Sequence, residues 1–263
     1  MNTGTQMEYT SAIALKLTGT QNRSATDIAQ QIAVDLTQTI EVASAATCSP
    51  SVDRVWQGFD VQAISPGWIY FRLNPTGTAE WLQVLVDYMP MACNSVNGGN
   101  TENNNQILRN STNIFKVQHV HARCCSLLRL ADQEGLIRLN PAEGEASLPG
   151  WLVTEPYPLP WLSGDRLRLE HPSEYALIAQ LVTVLDALSE LPPTADYQAR
   201  GLKLALALSQ SFQRFYAACR LWGEAKTAQL PLVQTRLGLV RITQVVLQTI
   251  LQEGLQLLAP LEL

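Results

Sequence analysis

Asn113-Ile-Phe-Lys-Val-Gln-His-Val-His-Ala-Arg123-Cys-Cys-Ser-Leu-Leu-Arg-Leu-Ala131 decides how the larger part of the chain folds. Val117, His121, Cys124 and Leu128 recur at spacings of four, three and four, which puts them on one face of an α-helix. Lys116, His119, Arg123 and Ser126 recur at three, four and three on the opposite face, a polar stripe with two fixed positive charges. A stripe of this kind is either an ordinary solvated face or a phosphate contact, and spacing alone favours neither.

Downstream the helical period continues. Pro172 opens a helix that runs to Leu191, where Pro192-Pro193 stops it, and two more helices are expected over about 195–222 and 234–258. The last carries Arg241, Gln244, Gln248, Gln252 and Gln256 on one side and Leu239, Ile242, Val246, Ile250 and Leu257 on the other, so an exposed polar stripe is expected there too. Between the first two helices lies an insertion, 140–171, with Pro141, Pro149, Pro156, Pro158, Pro160, Trp151 and Trp161. It is expected as an irregular surface excursion, either a partner site or a long loop that packs its aromatics on the bundle.

Upstream, residues 94–113 are rich in Asn, Ser, Thr and Gly, with almost nothing to bury, and are expected as a flexible linker. Before it, Met7 to Leu17 has apolar residues at helical spacing, and Ser24 with Asp27 forms a capping-box pattern ahead of Ile28, Ile32 and Leu36. Asp60 to Ile64 alternates, Ser65-Pro-Gly67 turns, and Trp68-Ile-Tyr-Phe-Arg-Leu73 is aromatic and β-prone. A helix from about Thr78 to Tyr88 follows. The expected organisation is an α+β domain at 1–93, the linker at 94–113 and an all-α helical bundle at 114–263.

An apolar fraction of 46% is ample for packed cores and excludes general disorder. No apolar run approaches the roughly 18 residues needed to cross a bilayer, and Met1 to Tyr9 lacks the basic flank and apolar core of a signal peptide, so a soluble cytoplasmic protein is expected. Cys48, Cys93, Cys124, Cys125 and Cys219 are odd in number and scattered, which fits reduced thiols rather than a disulfide framework. The net charge of −5 is uneven, with five basic against nine acidic residues in 1–113 and thirteen against fourteen in 114–263. With no basic domain, any nucleic-acid binding rests on a local face and is weak and salt-sensitive.

Catalytic signatures are absent: there is no GxGxxG, no GxSxG and no metal-spaced pair of CxxC motifs. Gly223-Glu-Ala-Lys226-Thr227 lacks the glycine before lysine and the arch of a phosphate loop. His121 and Cys125, four residues apart, have the spacing to share zinc, but His119 and His121 point about 200° apart on a helix. The plainer reading, a core histidine among buried thiols, is preferred, with no metal and no cofactor.

In chain order, further stretches resemble one family. Tyr9-Thr-Ser-Ala-Ile-Ala-Leu-Lys-Leu17 and Asp27-Ile-Ala-Gln-Gln-Ile-Ala33 resemble the two amino-terminal helices of arginyl-tRNA synthetases, and Ser65-Pro-Gly-Trp-Ile-Tyr-Phe-Arg-Leu73 resembles their "PGFINF" strand. Phe115 to Arg123 is similar to the "YVQYAHAR" helix that begins their DALR anticodon-binding domain. Phe212-Gln-Arg-Phe-Tyr-Ala-Ala-Cys-Arg220 resembles their "F-x-x-FY-x-x-C" helix, and Thr235 to Val240 with Gly254 to Leu258 resembles the closing helix. In that family a class I catalytic domain with HIGH-type and KMSK-type motifs lies between the two regions. Here about twenty residues stand in its place, and the chain has four lysines in all and neither motif.

The resemblance implies a non-catalytic protein that binds tRNA, arginine isoacceptors among the candidates, through elbow-docking and anticodon-arm surfaces, as a specificity adaptor. Departures touch the specificity: Tyr70 stands where the family has Asn, Trp68 where it has Phe, His119 where it has Tyr, and the chain ends Pro260-Leu-Glu-Leu263 rather than Pro-x-x-Met. The RNA-binding residues expected are Lys116, His119, Arg123, Tyr216, Arg241, Gln244 and Gln248, with Trp68 and Tyr70 on the first domain. Two alternatives are a scaffold that has lost RNA binding and meets a protein partner through 140–171, and the tRNA-binding subunit of a split arginine–tRNA ligase. Neither membrane nor DNA is expected as a partner.

Overall fold

A computed structural model describes residues 7–21, 23–43, 50–88, 101–141, 151–190, 196–223 and 229–262. The chain forms two compact units: Met1–Val84 with Leu162–Arg168, and Leu85–Trp161 with Leu169–Leu263.

The first unit is α+β, as expected from sequence. Strand β1 (Met7–Ser11) precedes helices α1 (Ile13–Gln21), α2 (Ala25–Ala43) and α3 (Pro50–Gln57). Strands β2 (Phe59–Ile64) and β3 (Trp68–Leu73) follow, then α4 (Pro75–Asp87). Ser24 caps α2: its Oγ accepts the Asp27 N–H at 3.1 Å and donates to the Asp27 carboxylate at 2.6 Å. The β2–β3 turn closes with the Gly67 N–H on the Ile64 carbonyl at 2.9 Å, and Gly67 has φ +132°, which side chains disfavour. Buried Ala14, Ile28, Ala29 and Ile69 form the core, with Leu17, Ile32, Val61, Ala63 and Phe71 packed against them.

The helix expected over Met7 to Leu17 is corrected: its first half is β1, paired antiparallel with β3 from Met7 opposite Leu73 to Ser11 opposite Ile69. The sheet order is β1-β3-β2. Because β2 takes only one edge of β3, the backbone groups of the other edge need a partner, and Met7–Ser11 supplies it. Periodicity within one segment does not register that long-range demand.

The second unit is predominantly helical: α5 (Thr101–Gln133), α6 (Pro172–Glu190), α7 (Asp196–Ala218) and α8 (Leu230–Thr249), the last ending in a π-helical turn, Ile250–Gly254. The linker expected at 94–113 is corrected from residue 101 onward, where α5 has already begun. Asn-rich composition lowers helix propensity but does not forbid helix when the same segment continues into a strongly packed one. Residues 94–100 lie outside those described.

The insertion at 140–171 is likewise less irregular than expected. Its strands β4 (Arg138–Pro141) and β5 (Trp151–Glu155) pair antiparallel, and β6 (Leu162–Ser163) pairs with β7 (Arg166–Leu167). Trp161 is buried, and its ring lies on Gly238 in the middle of α8, where an added Cβ would meet that ring and stand 2.7 Å from Leu159 Cδ1. Glycine is therefore kept inside a helix because an aromatic occupies its side-chain space. Gly238→Leu is expected to cost about 2–3 kcal/mol by overpacking, read as a lower urea midpoint with unchanged slope.

Helix α8 is the axis of the bundle. Every residue from Leu237 to Leu247 is buried, polar ones included. A helix enclosed on all sides has no solvated face, so the exposed stripe expected from Arg241 onward does not exist in that form.

Candidate nucleic-acid interface

The solvent face of α5 has the form its spacing predicts. Phe115, Lys116, His119, Arg123 and Ser126 are exposed, while Val117, Val120, His121, Cys124 and Leu128 face the core. The Phe115 and His119 rings lie 6.3 Å apart, one helical turn along the same face. Phe115, 54% exposed, joins the expected residues on this face, and its sequence signal is an aromatic four residues before His119.

Helix α7 supplies the flank. The Arg123 guanidinium lies over the Tyr216 ring, 4.6 Å from its centroid, and Tyr216 runs nearly parallel to buried Phe212 at 14° and 6.2 Å. Arg123 and Tyr216 thus form one layered unit, a cation held flat on an aromatic support. An open groove of about 420 Å³ beside α7 is lined by Asn113, Leu202, Lys203, Leu206, Ala207 and Gln210.

The opposite flank is the segment after the π-helical turn, strapped along α5. The Gln118 side-chain amide donates to the Leu258 carbonyl at 2.8 Å, and His121 Nδ1 meets the Pro260 carbonyl at 2.9 Å. Arg129 donates to the Leu261 carbonyl at 3.3 Å and pairs with Glu262 at 2.9 Å.

Arg241 and Gln244 require correction. Their relative exposures are 1% and 3%, so neither offers a surface to RNA. Arg241 donates to the Gln244 carbonyl oxygen and to the Tyr88 carbonyl at 3.4 Å. Gln244 Nε2 contacts His121 Nε2 at 3.1 Å and donates to Gln248 Oε1 at 2.8 Å; Gln248 Nε2 donates to Gln252 Oε1 at 3.2 Å. Gln248 and Gln252 are half-buried and Gln256 is exposed. A buried polar side chain is tolerable only when bonded, and this network provides the partners.

His121 is the core histidine expected from sequence. Burial, with a smaller contribution from the Arg241 charge, lowers its pKa to about 4 against the opposing bond to Pro260, so the ring is neutral at pH 7. Burial pushes the Cys125 thiol up to about 12 and the Cys124 thiol upward as well, which keeps both protonated and unreactive. Burial lowers Arg241 to about 10, where it remains a cation.

Trp68 and Tyr70 alternate with Ile69 and Phe71 along β3 and occupy the sheet face away from the core. Trp68 is exposed and Tyr70 half-buried, and both belong to the first unit, whereas the α5 and α7 residues belong to the second.

The second unit is thus a predominantly helical domain closed around the buried helix α8, with a cationic and aromatic face on α5 and α7. The model of the DALR anticodon binding domain matches residues 117–258, and the chain belongs to that family. Three curated relatives are the arginine–tRNA ligases of Synechococcus sp. (strain JA-3-3Ab), 33% identical over 149 residues, of Heliobacterium modesticaldum, 30% over 138, and of Moorella thermoacetica, 31% over 142. These matches cover 56%, 52% and 52% of this chain but 22%, 21% and 20% of the relatives, so the chain spans about a fifth of their length. No solved structure matches it. No described helix is long and apolar enough to cross a membrane.

Proposed function

We propose that this chain is a non-catalytic tRNA-binding protein that meets the anticodon arm through the exposed face of α5 and its α7 flank. The observation that carries the reading is the coincidence of an anticodon-binding family match with an exposed surface of Phe115, Lys116, His119 and Arg123 backed by Tyr216. Lysine and arginine serve phosphates, while the rings and the flat guanidinium serve unpaired bases. In this reading residues 1–93, with Trp68 and Tyr70, contribute a second docking surface at the tRNA elbow, and the protein acts as a specificity adaptor. The relatives named as arginine–tRNA ligases make arginine isoacceptors the first candidates.

Few charges are available, so binding is weak, about micromolar, with a log–log salt slope of roughly 2 to 4. Filter binding of a mixed tRNA pool at several salt concentrations tests the reading. Arg123→Ala is expected to lower both affinity and slope, the latter by about one. Tyr216→Ala is expected to lower affinity with little change in slope, because stacking releases no counterions. Circular dichroism on both variants controls for unfolding, since Tyr216 is half-buried. Absence of low-salt binding to any tRNA by folded protein would defeat the proposal.

A further inference from the structure

The glutamine ladder of α8 has a direction, and two anchors set it. Arginine has donors but no acceptor, so the Gln244 amide must turn its oxygen toward Arg241 and its nitrogen away. From the other side, the Pro260 carbonyl only accepts; His121 must donate to it from Nδ1, which leaves Nε2 as an acceptor that also requires the Gln244 nitrogen. Both anchors give the same orientation. The remaining Gln244 N–H faces Gln248 Oε1, so Gln248 turns its nitrogen to Gln252 Oε1, and Gln252 is left with Nε2 outermost. Among the described residues that nitrogen meets no hydrogen-bond acceptor.

The open end has a definite place. Helix α8 runs antiparallel to α5, since Gln234 Nε2 bonds the Leu136 carbonyl while Gln244 meets His121. Two turns beyond Gln244, Gln252 lies toward the Phe115 end of α5, in the half-buried zone where the core gives way to solvent.

We propose that Gln252 is a base-reading residue, presenting a fixed amide donor to a keto oxygen of an unpaired nucleobase, with Arg241, Gln244 and Gln248 as positioning residues behind it. This rests on the RNA-binding reading above. An untethered glutamine flips to present either oxygen or nitrogen and tells keto from amino groups poorly. A glutamine whose oxygen is already committed presents only N–H, and so favours uracil O4 over cytosine N4. The ladder is a neutral donor at its outer end, which suits a base edge better than a phosphate.

Two RNA hairpins sharing one stem, with an all-uridine or an all-cytidine loop, form the probe pair, titrated at low salt. Wild-type protein is expected to prefer the uridine loop by about fivefold, one hydrogen bond's worth. Gln252→Glu still accepts from Gln248 but exposes an acceptor, so the preference is expected to reverse; the ratio of the two affinities cancels any general repulsion of RNA by the new charge. Gln248→Met cuts the ladder and is expected to abolish the preference while both hairpins still bind and thermal unfolding stays cooperative. If Gln252→Glu binds neither hairpin, the Gln248→Met ratio decides alone. RNA binding with no wild-type preference, or with a preference untouched in these variants, overturns the base-reading role and leaves the RNA-binding reading standing. No wild-type binding to either hairpin overturns both.

Discussion

Arg236→Ala is expected to destabilise the helical unit by about 3–5 kcal/mol, because it leaves a carboxylate buried without its counter-ion. Glu174, fully buried at the start of α6, pairs with Arg236 Nε at 2.6 Å, and Arg236 also donates to the Arg220 carbonyl at 2.8 Å. The other Glu174 oxygen accepts the His171 N–H at 2.8 Å, and His171 Nδ1 accepts the Ser173 N–H at 3.1 Å. One carboxylate therefore caps α6 and, through Arg236, joins α8 to the turn after α7. Urea unfolding of single and double variants measures the effect. Replacing both partners by apolar residues of similar size, Glu174→Leu with Arg236→Met, should cost less than Arg236→Ala alone, since no unpaired charge remains.

Acid should weaken the unit through His121. The folded-state pKa, lowered to about 4 mainly by burial, lies below the ordinary 6.5, so between these values the unfolded chain binds a proton that the native ring refuses. The stability contributed by the neutral ring is complete above pH 6.5 and lost progressively as pH falls to about 4, a total of about 3 kcal/mol. Folding free energies measured from pH 7 down to 4 should show this loss in wild type. His121→Asn, which can still donate to Pro260 but does not titrate there, should show a shallower acid limb. Equal slopes would mean that His121 is already protonated in the fold.

Much of the helical unit is legible in the sequence because its helices carry local stop and start signals: Pro172 opens α6, and the apolar spacing of Val117 to Leu128 marks the buried face of α5. What escapes is whatever depends on partners distant in sequence. Met7–Ser11 is a strand because β3 has an edge to fill. The 241, 244, 248, 252 spacing fits both a solvated stripe and a hydrogen-bonded ladder inside the bundle; spacing identifies a shared face but not what covers it. Gly238 is explained only once Trp161 is seen resting on it. At the candidate interface, Lys116, His119 and Arg123 were legible because their face is simply the complement of a strongly apolar one. The pairing of Arg123 with Tyr216 was not, since it joins two helices.

The strap along α5 bears on how the bundle assembles. Its bonds join Gln118 to Leu258, His121 to Pro260 and Arg129 to Leu261 across 140, 139 and 132 residues of chain. Closing a loop of that length costs about 4 kcal/mol in chain entropy before any of these contacts returns a gain. The contacts of α8 with α5, Gln234 to Leu136 and Gln244 to His121, already close loops of 98 and 123 residues, so once those helices pair the strap adds its bonds at little further entropic cost. The flank of the cationic face therefore draws its stability from the pairing of α5 with α8, and a change that loosens that pairing is expected to release the flank with it.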